Sequence, residues 1–140
     1  MSALKYFSYK DYGVTLLNEM HYSQAVRVGD TIEISGQASG GWDQKTGEVP
    51  SDLSEEIDQA FANVDMTLRD AGGEGWSQVF RIRLYALDEA WTPEGMGRMI
   101  ENLKKWAPNH APILTGVGVT KLGQPGMRIE VEVSAYDPEK

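Results

Sequence analysis

Glu130 and Glu132 alternate with apolar residues near the end of the chain, two and four positions beyond Arg128. A carboxylate can take a proton from an attacking water when partial burial raises its proton affinity toward neutrality. Two readings of Glu130 therefore stand side by side: a general base, or one half of an ion pair with Arg81, Arg83 or Arg128. Glu132, on the same strand face, belongs to the pairing network. The Tyr22 phenol either orients a substrate or is a half-buried aromatic with a satisfied hydroxyl. Ser35 either offers its hydroxyl to a polar ligand or satisfies local backbone. Trp42, in Gly40-Gly41-Trp42-Asp43, is an indole on a Gly-rich loop that closes over a flat ligand or packs on a neighbouring subunit. His21 and His110 are far apart, with no third ligand nearby, so no metal site is expected and each is assigned a surface or loop role. The chain has no cysteine, which excludes disulfides, thiolate zinc sites and a cysteine nucleophile. The glycine-rich run from Gly36 to Gly41 lacks the strand–helix context of a dinucleotide site.

These side chains must be held by elements that the hydrophobic periodicity defines. Ala25–Val28, Gly29-Asp30 and Thr31–Ser35 read as a hairpin with a two-residue turn, followed by a loop from Gly36 to Pro50. Asp52 and Glu55 form a possible capping box ahead of a helix with Leu53, Ile57, Phe61, Val64 and Leu68 on one face, ended by Gly72-Gly73. Val79 to Leu87 is predicted as a strand, with Phe80, Ile82, Leu84 and Ala86 toward the core and Arg81, Arg83 and Tyr85 outward. A second helix starts at Thr92-Pro93 and carries Met96, Met99, Ile100, Leu103 and Trp106. Strands follow at Ile113–Leu122 and Met127–Tyr136, around a turn at Gln124-Pro125-Gly126. A further short strand lies near Tyr6 to Tyr9. The order predicts an α+β domain over 1–140: a two-layer sheet with two helices on one face. The other face carries Arg81, Arg83, Glu130, Glu132 and Tyr85 with Gly116 and Gly118, a mixture that points to coverage by another copy of the chain.

The chain has 140 residues, 41% hydrophobic and 24% charged, which fits one globular domain with one core. Its net charge is −8, and the longest basic run is Lys104-Lys105, so nucleic acid is not an expected partner. No stretch reaches the roughly 20 apolar residues of a membrane span, and Met1 to Tyr12 lacks a signal-peptide core. No membrane partner and a cytoplasmic location are the expectations.

Tyr22-Ser23-Gln24-Ala25-Val26, leading to Ile34-Ser35-Gly36-Gln37, resembles the opening signature of the Rid (reactive intermediate deaminase, or YjgF-like) family. Lys45-Thr46-Gly47-Glu48, the helix at 57–71 and Arg128-Ile129-Glu130-Val131-Glu132 are similar as well, so the likeness runs from about Tyr22 to Tyr136. It implies a chorismate-mutase-like fold, a homotrimer with small-molecule clefts between subunits, and cofactor-free hydrolysis of enamines and imines such as 2-aminoacrylate. Carried over by position, it implies catalytic roles for Tyr22, Ser35 and Glu130. The family arginine that holds a substrate carboxylate falls in Pro112-Ile113-Leu114-Thr115, where this chain has Leu114; Gly116 stands where cysteine is frequent. Leu114, Thr115, Gly116, Trp42 and Tyr85 are expected to line the cleft, and Arg83 or Arg128 to replace the missing guanidinium. The substitution argues against 2-aminoacrylate as substrate. It leaves open an imine or enamine hydrolase for carboxylate-free substrates and a non-catalytic trimer that binds metabolites or partners. Ribonuclease activity, attributed to some members, is disfavoured by the charge.

Overall fold

A computed structural model of the chain describes residues 3–36 and 41–138. Residues 37–40, which include Gln37 of the Ser-Gly-Gln motif, lie outside the described residues. Six strands form one sheet: β1 (Lys5–Phe7), β2 (Ala25–Val28), β3 (Thr31–Ile34), β4 (Val79–Ala86), β5 (Ile113–Gly118) and β6 (Ile129–Tyr136). Their spatial order is β1-β2-β3-β6-β4-β5, and every neighbouring pair is antiparallel except β4–β5. Three helices accompany them: α1 (Tyr12–Met20), α2 (Leu53–Asp70) and α3 (Pro93–Trp106).

The expected α+β fold holds, and its helix caps are those the sequence encodes. Asp52 accepts the Glu55 N–H at 2.9 Å, and Thr92 accepts the Gly95 N–H at 3.1 Å with proline next in the chain. Ile57, Phe61, Val64 and Leu68 of α2 are buried against Ile82, Leu84, Ile129, Val131 and Val133 of the sheet. Each large side chain buried in this way contributes on the order of 1.5–3 kcal/mol.

Four features depart from the sequence reading. Helix α1 was not expected. It has no side-chain cap, no acidic first turn and no basic last turn, and Asp11 before it has φ +66. It is held by tertiary contact, because Leu16 packs with Trp42, Met127, Tyr12 and Tyr22 in a second small core. A bulge between Val79 and Arg81 turns Phe80 out to 41% exposure and puts Val79 into the core instead. Gly116 and Gly118 align with Leu84 and Ala86, so they belong to the helix-side face; a Cβ on Gly116 would meet the Trp91 ring at 2.8 Å. Regular pairing of β5 ends at Gly118, short of Leu122, and that of β6 begins at Ile129, two residues after Met127.

Arg128, at the entrance to β6, is tied to α2. Its backbone N–H and its Nε each donate to Glu56 at 2.6 Å, and Nη2 donates to the Pro50 and Ser51 carbonyls at 3.2 and 3.0 Å. Glu56 is fully buried. Removing the cation strands that carboxylate, so Arg128→Met is expected to cost about 3–5 kcal/mol in urea unfolding, most of it recovered in Arg128→Met/Glu56→Leu. A loss below about 1 kcal/mol, the size of an exposed pair, would contradict this account.

Candidate active site at the open end of the sheet

Strand β3 runs antiparallel to β6 with Glu33 opposite Ser134, so the chain leaving β3 heads along β6 toward Glu130, and Tyr85 of β4 aligns with Glu130. Ser35 and Gly36 follow β3 directly. The Glu130 carboxylate rests on Gly36: a Cβ there would stand 2.9 Å from Oε2. Any larger residue at this position would push the carboxylate aside. Burial drives the Glu130 pKa above the ordinary carboxylate value; the Gly123 backbone amide opposes the shift and the charge of Glu132 adds to it. The nearby arginines are engaged elsewhere, Arg83 loosely with Glu132 at 3.9 Å and Arg128 with Glu56. Glu132 also accepts the Tyr85 hydroxyl at 2.8 Å.

Tyr22 follows His21, whose left-handed backbone (φ +58) ends α1. With His21, Gln24, Val26 and Ser35 it lines a pocket of about 460 Å³. Glu130 is not among the lining side chains; it stands beyond Ser35, over Gly36. Burial pushes the Tyr22 phenol above the usual tyrosine value, the Gln24 amide beside it works the other way, and Tyr12 and Glu130 add to the rise. Tyr22, Ser35 and Glu130 are thus gathered at one end of the sheet.

The remaining expected site residues are placed differently. Trp42 does not ride on an open loop: it is 1% exposed, donates Nε1–H to the Tyr9 hydroxyl at 2.8 Å, and meets the Tyr12 ring edge-on at 5.3 Å. Its glycine-rich flank suggested mobility, but Asn63 holds the Trp42 carbonyl at 2.8 Å. The Arg128 guanidinium turns to Glu56 and two loop carbonyls, so the alternation that suggested a free outward cation does not supply one. Thr115 aligns with Arg83 on the open face, whereas Leu114 aligns with Ile82 and Gly116 with Leu84 on the helix-side face. Strand β5 is separated from β3 by β6 and β4, roughly 14 Å at ordinary strand spacing, so Leu114 and Ser35 of one chain do not meet. His110 places Nε2 2.8 Å from the Val79 carbonyl, tying the loop before β5 to the start of β4. Among the described residues, no three His, Asp or Glu side chains converge as a metal site. Sequence reasoning missed Gln24, since nothing in its spacing indicates that its amide is buried in this pocket.

A raised carboxyl pKa makes a stability prediction of definite sign. The folded chain binds the Glu130 proton more tightly than the unfolded chain, so ionisation costs stability above the folded pKa, and the cost is relieved as pH falls below the unfolded value. Glu130→Gln keeps an acceptor for the Gly123 amide. It is expected to stabilise the fold at pH about 7 and to lose that advantage near pH 4, the ordinary glutamate range. Destabilisation at neutral pH in urea unfolding would argue against a desolvated carboxylate.

The family model for endoribonuclease L-PSP matches residues 14–137. A 2-iminobutanoate/2-iminopropanoate deaminase of Dermatophagoides farinae is 30% identical over 112 residues, covering 79% of this chain and 81% of that protein. The RutC family protein YjgH of Escherichia coli is 32% identical over 129 residues, 90% of each chain. A solved structure of YjgH superposes with a TM-score of 0.77 at 28% identity over 96% of both chains. The structure of RidA from the Antarctic bacterium Psychrobacter gives 0.69 at 26% identity, covering 82% of this chain and 87% of that one. With the model matching nearly the whole chain and the fold shared across these structures, this chain belongs to the endoribonuclease L-PSP family, the Rid or YjgF family.

Proposed function

We propose that the chain forms a homotrimer whose inter-subunit clefts transform small imines or enamines lacking a carboxylate. The observation that carries this reading is the Glu130 carboxyl, desolvated on Gly36 beside the Tyr22–Ser35 pocket and left without an arginine partner by the Arg83–Glu132 and Arg128–Glu56 pairs. In hydrolysis, Glu130 takes a proton from water as its oxygen bonds to the C=N carbon. The nitrogen gains a proton, and the resulting carbinolamine releases ammonia and leaves a carbonyl compound. Tyr22 and Ser35 are suited to hold the water or the nitrogen. The deaminase name of the Dermatophagoides farinae relative supports this chemistry class.

Separation of Leu114 from Ser35 within one chain supports a second copy bringing its β5 edge to the cleft. Ile113, Leu114 and Val117 of that edge are exposed. Leucine supplies no donor, so a substrate carboxylate forgoes the roughly 1.5–3 kcal/mol of a charge-assisted bond. This favours neutral substrates over 2-aminoacrylate. The alternative is a trimer that binds the same ligands without turnover. Opposing a ribonuclease role is the net charge of −8. No helix among the described residues is long and apolar enough to cross a membrane.

The test supplies neutral imines from an amine oxidase and carboxylate-bearing imines from an amino-acid oxidase, and times carbonyl and ammonia release. We expect acceleration with the neutral imines, little with the imino acids, and a loss of about 10²-fold or more in Glu130→Gln. Equal acceleration by wild type and Glu130→Gln would remove Glu130 as the base. Absence of acceleration across both sets would leave the binding trimer.

A further inference from the structure

Gln24 is 1% exposed, yet neither Nε2 nor Oε1 of its amide has a partner within good hydrogen-bond geometry; the Tyr22 phenol beside it makes only a loose polar contact. Buried amides are nearly always paired, because each lost bond to water must be replaced. The backbone around it is fixed: the Gln24 N–H donates to the Phe7 carbonyl, and the Gln24 carbonyl accepts the Ser35 N–H, both at 2.9 Å. Ala25, the next residue, points into the core and aligns with Ile34. The pleat therefore sends Gln24 to the opposite face, where it lines the pocket with Tyr22 and Ser35. The one acidic side chain lining that pocket, Glu33, already accepts the Ser134 hydroxyl, and no lysine or arginine lines it. A carboxylate would meet no lysine or arginine among the described lining residues, whereas an uncharged group could use both ends of the amide.

We propose that Gln24 reads a carboxamide or lactam on a neutral ligand, its Oε1 accepting the ligand N–H and its Nε2 donating to the ligand carbonyl. This rests on the proposed function in placing the substrate at Tyr22 and Ser35, and it narrows the substrate class to imines or enamines carrying an amide in place of the carboxylate. Both amide atoms are covered. Binding therefore requires the half-buried Tyr22 ring, next to the amide, to turn aside.

The probes are benzamide and 2-pyrrolidinone, with benzoate and acetophenone as ring-matched controls that lack the N–H. In NMR titrations of the intact protein, the amides should shift the Gln24 side-chain NH₂ signals saturably and bind at least tenfold more tightly than either control. Gln24→Met, similar in size but without the unpartnered amide, should abolish that preference while melting no lower than wild type. Because the wild-type NH₂ signals are themselves a readout, the test does not depend on the variant folding. Equal affinity for benzamide and acetophenone, unmoved Gln24 signals, or a preference that survives in Gln24→Met would overturn the proposal. Amide binding without imine turnover would sustain it and remove the catalytic reading; turnover of neutral imines without amide preference would do the reverse.

Discussion

The buried pair of Glu56 and Arg128 is the interaction on which the site depends. Glu56 occupies the first turn of α2 and engages both the backbone and the side chain of Arg128, while Arg128 gathers the Pro50 and Ser51 carbonyls. One ion pair thereby joins the helix layer, the loop before it and the start of β6. The chain closes tightly over it: a Cβ on Gly41 would lie 2.3 Å from the Glu56 carbonyl oxygen, so only glycine passes there. Such pairs seldom add net stability over an apolar replacement, but losing one partner is costly. Their value here is positional, because Glu130 is two residues beyond Arg128 on the same strand.

The two glutamates on the outer face of β6 show how environment divides roles between identical side chains. Glu132 accepts the Tyr85 hydroxyl and faces Arg83, so its charge is compensated in place. Glu130 is held on Gly36, where burial favours its protonated form. The resemblance implies an arginine where this chain has Leu114, and the proposed preference for neutral ligands rests on that difference. Arg128 is committed to Glu56 and supplies no free cation beside Glu130.

Much of this was legible in the sequence because it is written locally. The α2 and α3 caps are short-range signals, and the apolar stripes of α2 and β6 repeat with regular periods. Tyr22, Ser35 and Glu130 were candidates by resemblance; Tyr22 and Ser35 line one pocket, and Glu130 stands next to it over Gly36. What stayed hidden depends on tertiary partners. Helix α1 has no side-chain cap at its start and is held because Leu16 finds Trp42 and Met127. Phe80 leaves the core through a bulge that alternation does not announce. The side-chain directions of Arg128 and Trp42 follow from Glu56 and Tyr9, each distant in sequence. Gln24 reads as one polar residue before a strand until its unpartnered amide is seen in the pocket wall.

If burial makes Glu130 a desolvated acid able to exchange a proton, its own titration will show it. Side-chain carboxyl ¹³C signals followed by NMR across the acid-to-neutral range, assigned with Glu130→Gln, would give its midpoint. The expected midpoint lies clearly above the ordinary glutamate value of about 4.3. A Glu130 midpoint at or below that value would mean a solvated or paired carboxylate and would contradict the account.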